Sequence, residues 1–407
     1  LMDGMLGLAN LFELMAVNRP DLKYPPYLPK MPEILTMDMN IFDVIRQQDI
    51  FLHHPYESFL AVEEFFRTAA TDPAVIAIKA TLYRVGKNSP IVQALMEARE
   101  NDKQVAVLVE LKARFDEENN LEWARAMEHQ GVHVTYGVEK LQVKTHAKIA
   151  LVDRKEGDEM SRYVHFGSGN YNSSTARMYS DVGLLTANRD LADDAIRLFN
   201  RLTGYAPDTE YKKLLVAPEY LHPALSDLID NEIQVAKEGK PARLIFKMNQ
   251  LEEDVMIMKL YEASQAGVKI NLIVRGLCCL RPGVAGLSEN IKVRSILGRY
   301  LEHTRIYYFH NAPPDQRMYA GSADMMRRNL YNRVETVFPI IEPRWQRKAM
   351  RILATDLRAN ILTWRLGEDK QYQRIIPNKD DLLIESQLIF MQEPAGLDVE
   401  IPTWDEC

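Results

Sequence analysis

A histidine and a lysine two residues apart, with an aspartate five residues further on, are the groups best suited to chemistry: His146, Lys148 and Asp153, in the pattern HxKxxxxD. A neutral imidazole can attack phosphorus, and a neighbouring ammonium can neutralise the oxygens around it. Side chains two apart on a β-strand share a face, so His146 and Lys148 are expected to point the same way. The segment GSGN follows at 167–170. Its glycines let the backbone approach a phosphate, and Asn170 offers an amide donor. The bland alternative is a surface strand that happens to carry His and Lys. An isolated HxK would favour that alternative; the full spacing together with GSGN favours a phosphate site.

The pattern returns. His303-Thr-Arg305 lies 157 residues beyond His146 (303 − 146), and GSAD at 321–324 lies 154 beyond GSGN (321 − 167). Nearly equal offsets argue that both elements were copied together. Two such half-sites facing each other would put a histidine on either side of one phosphorus. That allows in-line displacement, one histidine as nucleophile and the other as acid or charge stabiliser. The copy is imperfect: Arg305 replaces the lysine, and His310 stands where a second aspartate would be. His146, in the complete half, is therefore the expected nucleophile. His303, beside a cation and without a matching carboxylate, is expected to assist transfer without being phosphorylated.

The elements that must hold these groups alternate between strand and helix. AVIAIKATLYR from residue 74 reads as a buried strand. Ser89-Pro90 opens a helix with an N-cap and a proline at the first helical position. QVAVLVEL (104–111), VHVTYG (132–137) and KTHAKIALVD (144–153) read as further strands, with a helix over 121–130. Residues 40–68 contain a helical segment around Phe59–Phe66. The order then repeats, with a strand at 242–249, a helix at 253–266 stopped by Gly267, strands at 269–276 and 305–310, and a helix at 345–364. Alternation of this kind predicts α/β domains with largely parallel sheets, and the repetition predicts two similar domains. The expected bounds are a helical remnant and Pro-rich linker over 1–38, a first domain over 39–213, a second over 214–370, and a poorly patterned tail over 371–407.

Composition narrows the setting. The 407 residues are 46% hydrophobic and 26% charged, which is globular and long enough for two domains or three. Three cysteines fit neither a disulfide framework nor a zinc site and suit a reducing cytoplasm. No apolar run is long enough to span a bilayer, and no signal peptide opens the chain. With a net charge of −7, a polyanion would have to be held by a local basic channel and not by the global field. Candidates for that channel gather near the motifs, among them Lys112, Lys144, Arg177, Arg294 and Arg333.

Taken together, the chain resembles the polyphosphate kinase family, whose catalytic half is a pair of phospholipase-D-like domains. The stretches that carry the resemblance include LHHPYESF (52–59), KATLYRVGKNSPI (79–91), VELKARFDEENN (109–120), KTHAKIALVDR (144–154), HFGSGNYN (165–172), TARMYSDVGLLT (175–186), LIVRGLCCL (272–280), RYLEHTRIYYF (299–309) and SADMMRRNLYNRVE (322–335). They extend over residues from about 20 to 360. The resemblance implies two tandem phospholipase-D-like α/β domains with the active site between them. It implies that His146 is the phosphorylated histidine and His303 the second active-site histidine. Tyr179, Arg275 and His303 would line the nucleotide phosphate site, and Arg84 and Arg114 would lie where the family binds Mg²⁺. A guanidinium has no lone pair for a cation, so those arginines would hold the phosphates that hold the metal.

The implied substrates are ATP or ADP and inorganic polyphosphate, with no nucleic acid. The family has further domains ahead of this region, through which a homo-oligomer would form, and it allows peripheral membrane association. The bland alternatives are solvated caps for Arg84 and Arg114, a core tyrosine for Tyr179, and a structural ion pair for Arg275. A phospholipase-D-type phosphodiesterase or phosphatidyltransferase is the rival enzyme, disfavoured by the damaged second motif. An inactive polyanion-binding module is the rival outside enzymes, disfavoured by the intact first motif.

Overall fold

Two sheets with the same strand order account for the repetition in the sequence. The computed structural model describes residues 7–35, 39–111, 113, 116–137, 143–204 and 210–404. The strands are β1 Ile50–His54, β2 Val75–Leu82, β3 Gln104–Val109, β4 His133–Tyr136, β5 Lys144–Thr145, β6 Lys148–Glu156, β7 Glu159–Gly167 and β8 Tyr179–Thr186. The second set is β9 Leu215–Ala217, β10 Arg243–Met248, β11 Lys269–Val274, β12 Ile291–Ile296, β13 Leu301–Glu302, β14 Ile306–Phe309, β15 Met318–Gly321, β16 Arg333–Pro339, β17 Thr363–Leu366 and β18 Tyr372–Arg374.

The first sheet runs β1-β8-β7-β6-β2-β3-β4. The second runs β16-β15-β14-β10-β11-β12, with β9 on β16 and β17-β18 added beyond β12. Strand for strand this is one plan used twice. The sheets are mixed, not largely parallel: β2-β3-β4 and β10-β11-β12 are parallel, while β2-β6-β7-β8 and β10-β14-β15-β16 are antiparallel. Alternation with helices holds only for the parallel half of each domain. The antiparallel half, which carries the motifs, follows hairpins instead.

The helices start where local chemistry supplies acceptors for the orphan amides. Ser89 Oγ accepts from Val92 N at 3.4 Å ahead of Pro90–Glu100, and Asn188 Oδ1 accepts from the amides of Asp190 and Leu191 ahead of Arg189–Leu202. Helices Arg189–Leu202 and Pro343–Arg358 bury apolar faces in one core shared by the two domains, which also takes Phe166 of β7 and Phe338 of β16. Those two rings stack at 5.4 Å across the domain boundary. Full burial of each ring is worth about 1.5–3 kcal/mol, so the domains are held as one body by their cores.

The duplicated sheets also exchange strands. β5, just before His146, pairs in parallel with β16 of the second sheet, and β13, just before His303, pairs in parallel with β8 of the first. The expected strand over 144–153 is thus interrupted at the histidine: residues 146 and 147 both donate to Val334 O, at 2.8 and 2.9 Å, before β6 begins.

Two further expectations are corrected. The helix expected over 345–364 ends at Arg358, and residues 363–366 form β17. The poorly patterned segment from 371 carries regular elements among its described residues, which end at 404. Tyr372–Arg374 extends the second sheet, and helix Ser386–Gln392 buries Phe390 against His53 and Tyr56 of the first domain, at 4.8 and 5.2 Å between rings. At the other end, Leu8–Ala16 is a 3₁₀ helix with exposed leucines. Among the described residues no helix is long and apolar enough to cross a membrane.

Candidate active site

Strand exchange gives each histidine a carboxylate from the opposite domain. His146 Nδ1 lies 2.9 Å from Oε2 of Glu335 on β16, and His303 Nδ1 lies 2.7 Å from Oδ1 of Asp181 on β8. The serine of each glycine motif completes the arrangement. Ser322 Oγ donates to Glu335 at 2.5 Å and Ser168 Oγ donates to Asp181 at 2.6 Å. An ionised carboxylate only accepts, so in the neutral ring Nδ1 carries the hydrogen and Nε2 keeps its lone pair. Among the described residues neither Nε2 has a hydrogen-bond partner, and the side chains keep 11% and 15% of their surface open.

Burial is the main reason both rings stay neutral. The His146 pKa lies well below the usual imidazole value because of desolvation, then the nearby charges of Lys148, Arg333, Arg305 and His303. The His303 pKa is lowered by burial and then by Arg305, with Asp181 opposing. Each histidine thus sits in the other half's electrostatic field, as members of one site. Burial raises the Glu335 pKa, against Lys148, Ser322 and Arg333. Asp181 is also pushed up by burial, but His303, Ser168 and Arg305 hold it below the ordinary carboxylate range.

The absence of a carboxylate near His303, expected from position 310, is therefore overturned. Asp153 pairs with Arg162 at 3.2 Å on the outer part of β6, and His310 Nδ1 meets Tyr308 Oη at 2.9 Å. Neither contacts a site histidine, so the difference between them does not unbalance the halves. The signal for the true carboxylates was present: Asp181 and Glu335 each stand fourteen residues after the first glycine of their motif (181 − 167 and 335 − 321).

The cations do differ between halves. Lys148 is fully buried, donates to His146 O and lies 5.1 Å from the centre of the Tyr83 ring. Tyr83 also meets the His146 ring edge-on at 4.7 Å, so His146 and Lys148 do share surroundings. Burial drives the Lys148 pKa well down, with Glu335 opposing, and among the described residues no carboxylate lies within 4.0 Å of its ammonium. Asn170, the last residue of GSGN, is buried with an unpartnered Oδ1. In the other half Arg305 forms a two-pronged pair with Asp324 of GSAD, at 3.1 and 3.0 Å.

The remaining expected site residues fall as follows. Tyr179 stacks obliquely on His303, 5.5 Å between rings. Arg275, at the end of β11, has its pKa lowered by burial and then by Arg305, with Asp324 and Glu302 opposing. Among the described residues no carboxylate pairs with it within 4.0 Å, which removes the structural ion pair as its reason to be there. The Arg84 guanidinium pairs with Asp116 at 3.2 Å. Arg114 and Lys112 lie outside the described residues. Arg294, expected in a basic channel, instead donates to the carbonyls of Asp356, Leu357 and Ala359 and caps helix Pro343–Arg358. Among the described residues no group of three or more His, Cys, Asp or Glu could hold a metal ion.

The two histidine half-sites, each completed by a carboxylate of the other sheet, lie where the duplicated α/β domains join. The same overall fold is seen in phosphatidylserine synthase from Haemophilus influenzae, at a TM-score of 0.55 over 81% of this chain and 88% of that one, with 11% identity, a likeness of fold alone. Within that fold the chain belongs to the polyphosphate kinase family: residues 40–208 match polyphosphate kinase C-terminal domain 1 and residues 214–387 match C-terminal domain 2. Polyphosphate kinase from Prosthecochloris aestuarii is 47% identical over 96% of this chain and 54% of its own length; that from Halalkalibacterium halodurans is 48% identical over 96% and 55%. The crystal structure of polyphosphate kinase from Porphyromonas gingivalis superposes with a TM-score of 0.86 at 36% identity, over 94% of this chain and 58% of that one. The chain thus spans about half the length of the curated relatives it matches.

Proposed function

We propose that this chain transfers the γ-phosphate of ATP reversibly to inorganic polyphosphate, with His146 as the phosphorylated residue. The observation that carries this is the pair of buried, neutral histidines, each oriented through Nδ1 by a carboxylate of the other domain and each with Nε2 unengaged. In the first step the His146 Nε2 lone pair forms a bond to the γ-phosphorus while the bond to the β–γ bridging oxygen breaks, and ADP leaves. In the second, a terminal oxygen of polyphosphate attacks the same phosphorus, the P–N bond breaks, and the neutral imidazole returns. Glu335 keeps the Nδ1 proton in place and meets the positive charge that the ring gains on phosphorylation. His303, held by Asp181, faces the leaving or entering oxygen as acid or charge stabiliser. Arg275, Arg305 and Lys148 supply positive charge for the phosphates, and Tyr179 covers the nucleotide side.

Magnesium enters as the ion that ATP phosphates carry. The carboxylates nearest the histidines, Glu335 and Asp181, are each already engaged by a histidine and a serine, which suits a metal held through phosphate oxygens and not a protein cage. Arg84 would act on those oxygens.

The test is incubation of the intact protein with γ-labelled ATP and Mg²⁺. Acid-labile, base-stable label should map to the peptide spanning 144–153, and it should chase into polyphosphate. Label that fails to chase, or hydrolysis of a simple phosphodiester at a rate exceeding phosphate transfer, would favour the phosphodiesterase alternative.

A further inference from the structure

Immediately before His303 lies a buried carboxylate that contacts no reacting group. Glu302 Oε2 accepts from Lys247 Nζ at 2.8 Å and from Ser180 Oγ at 2.8 Å, and its Oε1 accepts from Gln387 Nε2 at 2.6 Å. Lys247 in turn pairs with Asp356 Oδ2 at 2.5 Å. These four partners come from four elements: β10, β8 of the other domain, helix Ser386–Gln392 and helix Pro343–Arg358. Gln387 also reads the backbone of the approach to β13. Its Oε1 accepts from Tyr300 N at 2.8 Å, and its Nε2 donates to Tyr300 O at 2.9 Å. Glu302, Lys247, Ser180, Gln387 and Asp356 are each 5% exposed or less.

The same hydrogen bonds fix the histidine's backbone. His303 N donates to Ser180 O at 3.1 Å, and Ser180 Oγ, which bonds Glu302, lies 3.2 Å from that amide. The next residue along β8 is Asp181, the partner of His303 Nδ1. A movement of Glu302 therefore shifts His303 relative to Asp181 directly. The other crossing strand is held differently, with Glu110 Oε2 accepting from the backbone amide of its residue 145 at 2.9 Å. Its equivalent position is Thr145, at the same 157-residue offset (302 − 145), and its hydroxyl has no partner. Moreover, the charge of Glu302 reaches Arg275, whose ionised form it favours against burial.

We propose that Glu302, clamped by Lys247, Ser180 and Gln387, is the positioning residue that sets His303 against Asp181, and that the C-terminal helix acts in phosphoryl transfer through Gln387 without touching substrate. The inference rests on the polyphosphate kinase reading for its kinetic readout, but not for its spectroscopic one.

The test uses the intact protein with Glu302→Gln and, separately, Gln387→Met. Glu302→Gln keeps the shape and removes the charge that answers Lys247. Gln387→Met keeps the volume and removes the hydrogen bonds to Glu302 and Tyr300. A misplacement of about 1 Å in a reacting group costs on the order of 10²-fold in rate, so kcat should fall about 10- to 100-fold while KM for ATP changes little. Histidine ring ¹⁵N spectra, with His303 assigned by its loss in His303→Ala, should show its pKa or tautomer balance displaced in both variants. Because either variant could fold poorly, melting temperature is measured on each, and the one that retains it decides. Wild-type kcat, or a fall in kcat with the His303 titration unmoved, overturns the inference. Absence of phosphate transfer in the unaltered protein would instead sink the polyphosphate kinase reading, and the His303 titration would still test the positioning role.

Discussion

Replacing Glu335 by glutamine should impair phosphorylation of His146 far more than its near-identical shape suggests. Glu335 accepts on Oε2 from His146 Nδ1 and Ser322 Oγ, and on Oε1 from Asn329 Nδ2. A glutamine can place only one acceptor. With its oxygen toward His146, its amide nitrogen opposes the Asn329 amide and the Arg333 guanidinium, which stands 3.9 Å from Oε1. Turning Asn329 over relieves that clash but strands its NH₂ in a buried place. Either outcome costs about 1–2 kcal/mol. With its nitrogen toward His146 nothing is stranded, because Ser322 can turn its hydroxyl to Thr336 O, 3.4 Å away, and accept instead. That orientation, however, makes Nδ1 of His146 an acceptor and puts the ring hydrogen on Nε2, the atom that must attack. The wrong tautomer would then dominate by roughly 5- to 30-fold, at a factor of ten per 1.4 kcal/mol. Losing the charge-assisted bond to the phosphorylated ring adds about another 1–1.5 kcal/mol. The labelling rate should therefore fall about 10²-fold, with the melting temperature nearly held. Quenched-flow labelling with γ-labelled ATP measures it. Wild-type labelling kinetics in a folded Glu335→Gln protein would refute the tautomer argument and the nucleophile with it.

Three other outcomes follow from the same geometry. His303→Ala should lower turnover about 10²- to 10⁴-fold, as expected for loss of an acid–base group, while residual label stays on the peptide spanning 144–153; label on a peptide containing residue 303 in the unaltered protein would reverse the two roles. Arg275→Ala should cost roughly 2–4 kcal/mol of transition-state stabilisation if the guanidinium meets a transferring or leaving phosphate, and its melting temperature should not drop, since no carboxylate is left unpaired; a large drop would return Arg275 to a structural role. Stability should fall as pH drops below about 6.5. His53, His54, His146, His165 and His303 all have lowered pKa values through burial, His165 to about 3. A histidine with a depressed folded pKa binds protons more readily unfolded, so its contribution is complete above the unfolded pKa and is lost as pH falls through it. Asp49, raised to about 7 by burial, and Glu335 and Asp356, also raised by burial, work in the opposite direction and offset part of the effect of the five histidines. A melting temperature that stays level from pH 7 to pH 5 would contradict this.

The duplication was legible in the sequence because both histidine motifs and both glycine motifs moved together. The carboxylates were missed although they moved with them. Local pattern drew attention to Asp153, which shares the strand of Lys148 but points to Arg162 at the surface. Asp181 and Glu335 reach their histidines only because β13 and β5 cross to the opposite sheets, and a contact of that separation leaves no local periodicity. The same limit hid the C-terminal segment. Helix Ser386–Gln392 has seven residues, too few for a strong pattern, and its value lies in Gln387 meeting Tyr300 and Glu302. The mixed sheets were missed for a different reason. Helix-strand alternation was read from the parallel half of each domain, while the strands around the site are joined by short hairpins such as that between Glu156 and Glu159.

Near-symmetric geometry leaves the question of what makes the two histidines unequal, and the charges around them answer it. Beside His303, Arg305 is matched by Asp324 in a close two-pronged pair, and Asp181, Glu302 and Asp356 add further negative charge against Lys247 and Arg275. In the His146 half, Asn170 stands at the motif position of Asp324, among the described residues no carboxylate lies within 4.0 Å of the Lys148 ammonium, and Arg333 shares Glu335 only at 3.9 Å. The His146 half is thus short of negative charge and the His303 half is not. Burial lowers the Lys148 pKa while the site is empty, but an anionic phosphate beside it favours the ammonium again. On the proposed mechanism a phosphoryl group carrying two negative charges would be drawn to His146 and held by Lys148, whose ammonium has no carboxylate within 4.0 Å among the described residues. On that mechanism, the asymmetry that would single out His146 lies in the last residue of each glycine motif, Asn170 against Asp324, and not in Asp153 against His310.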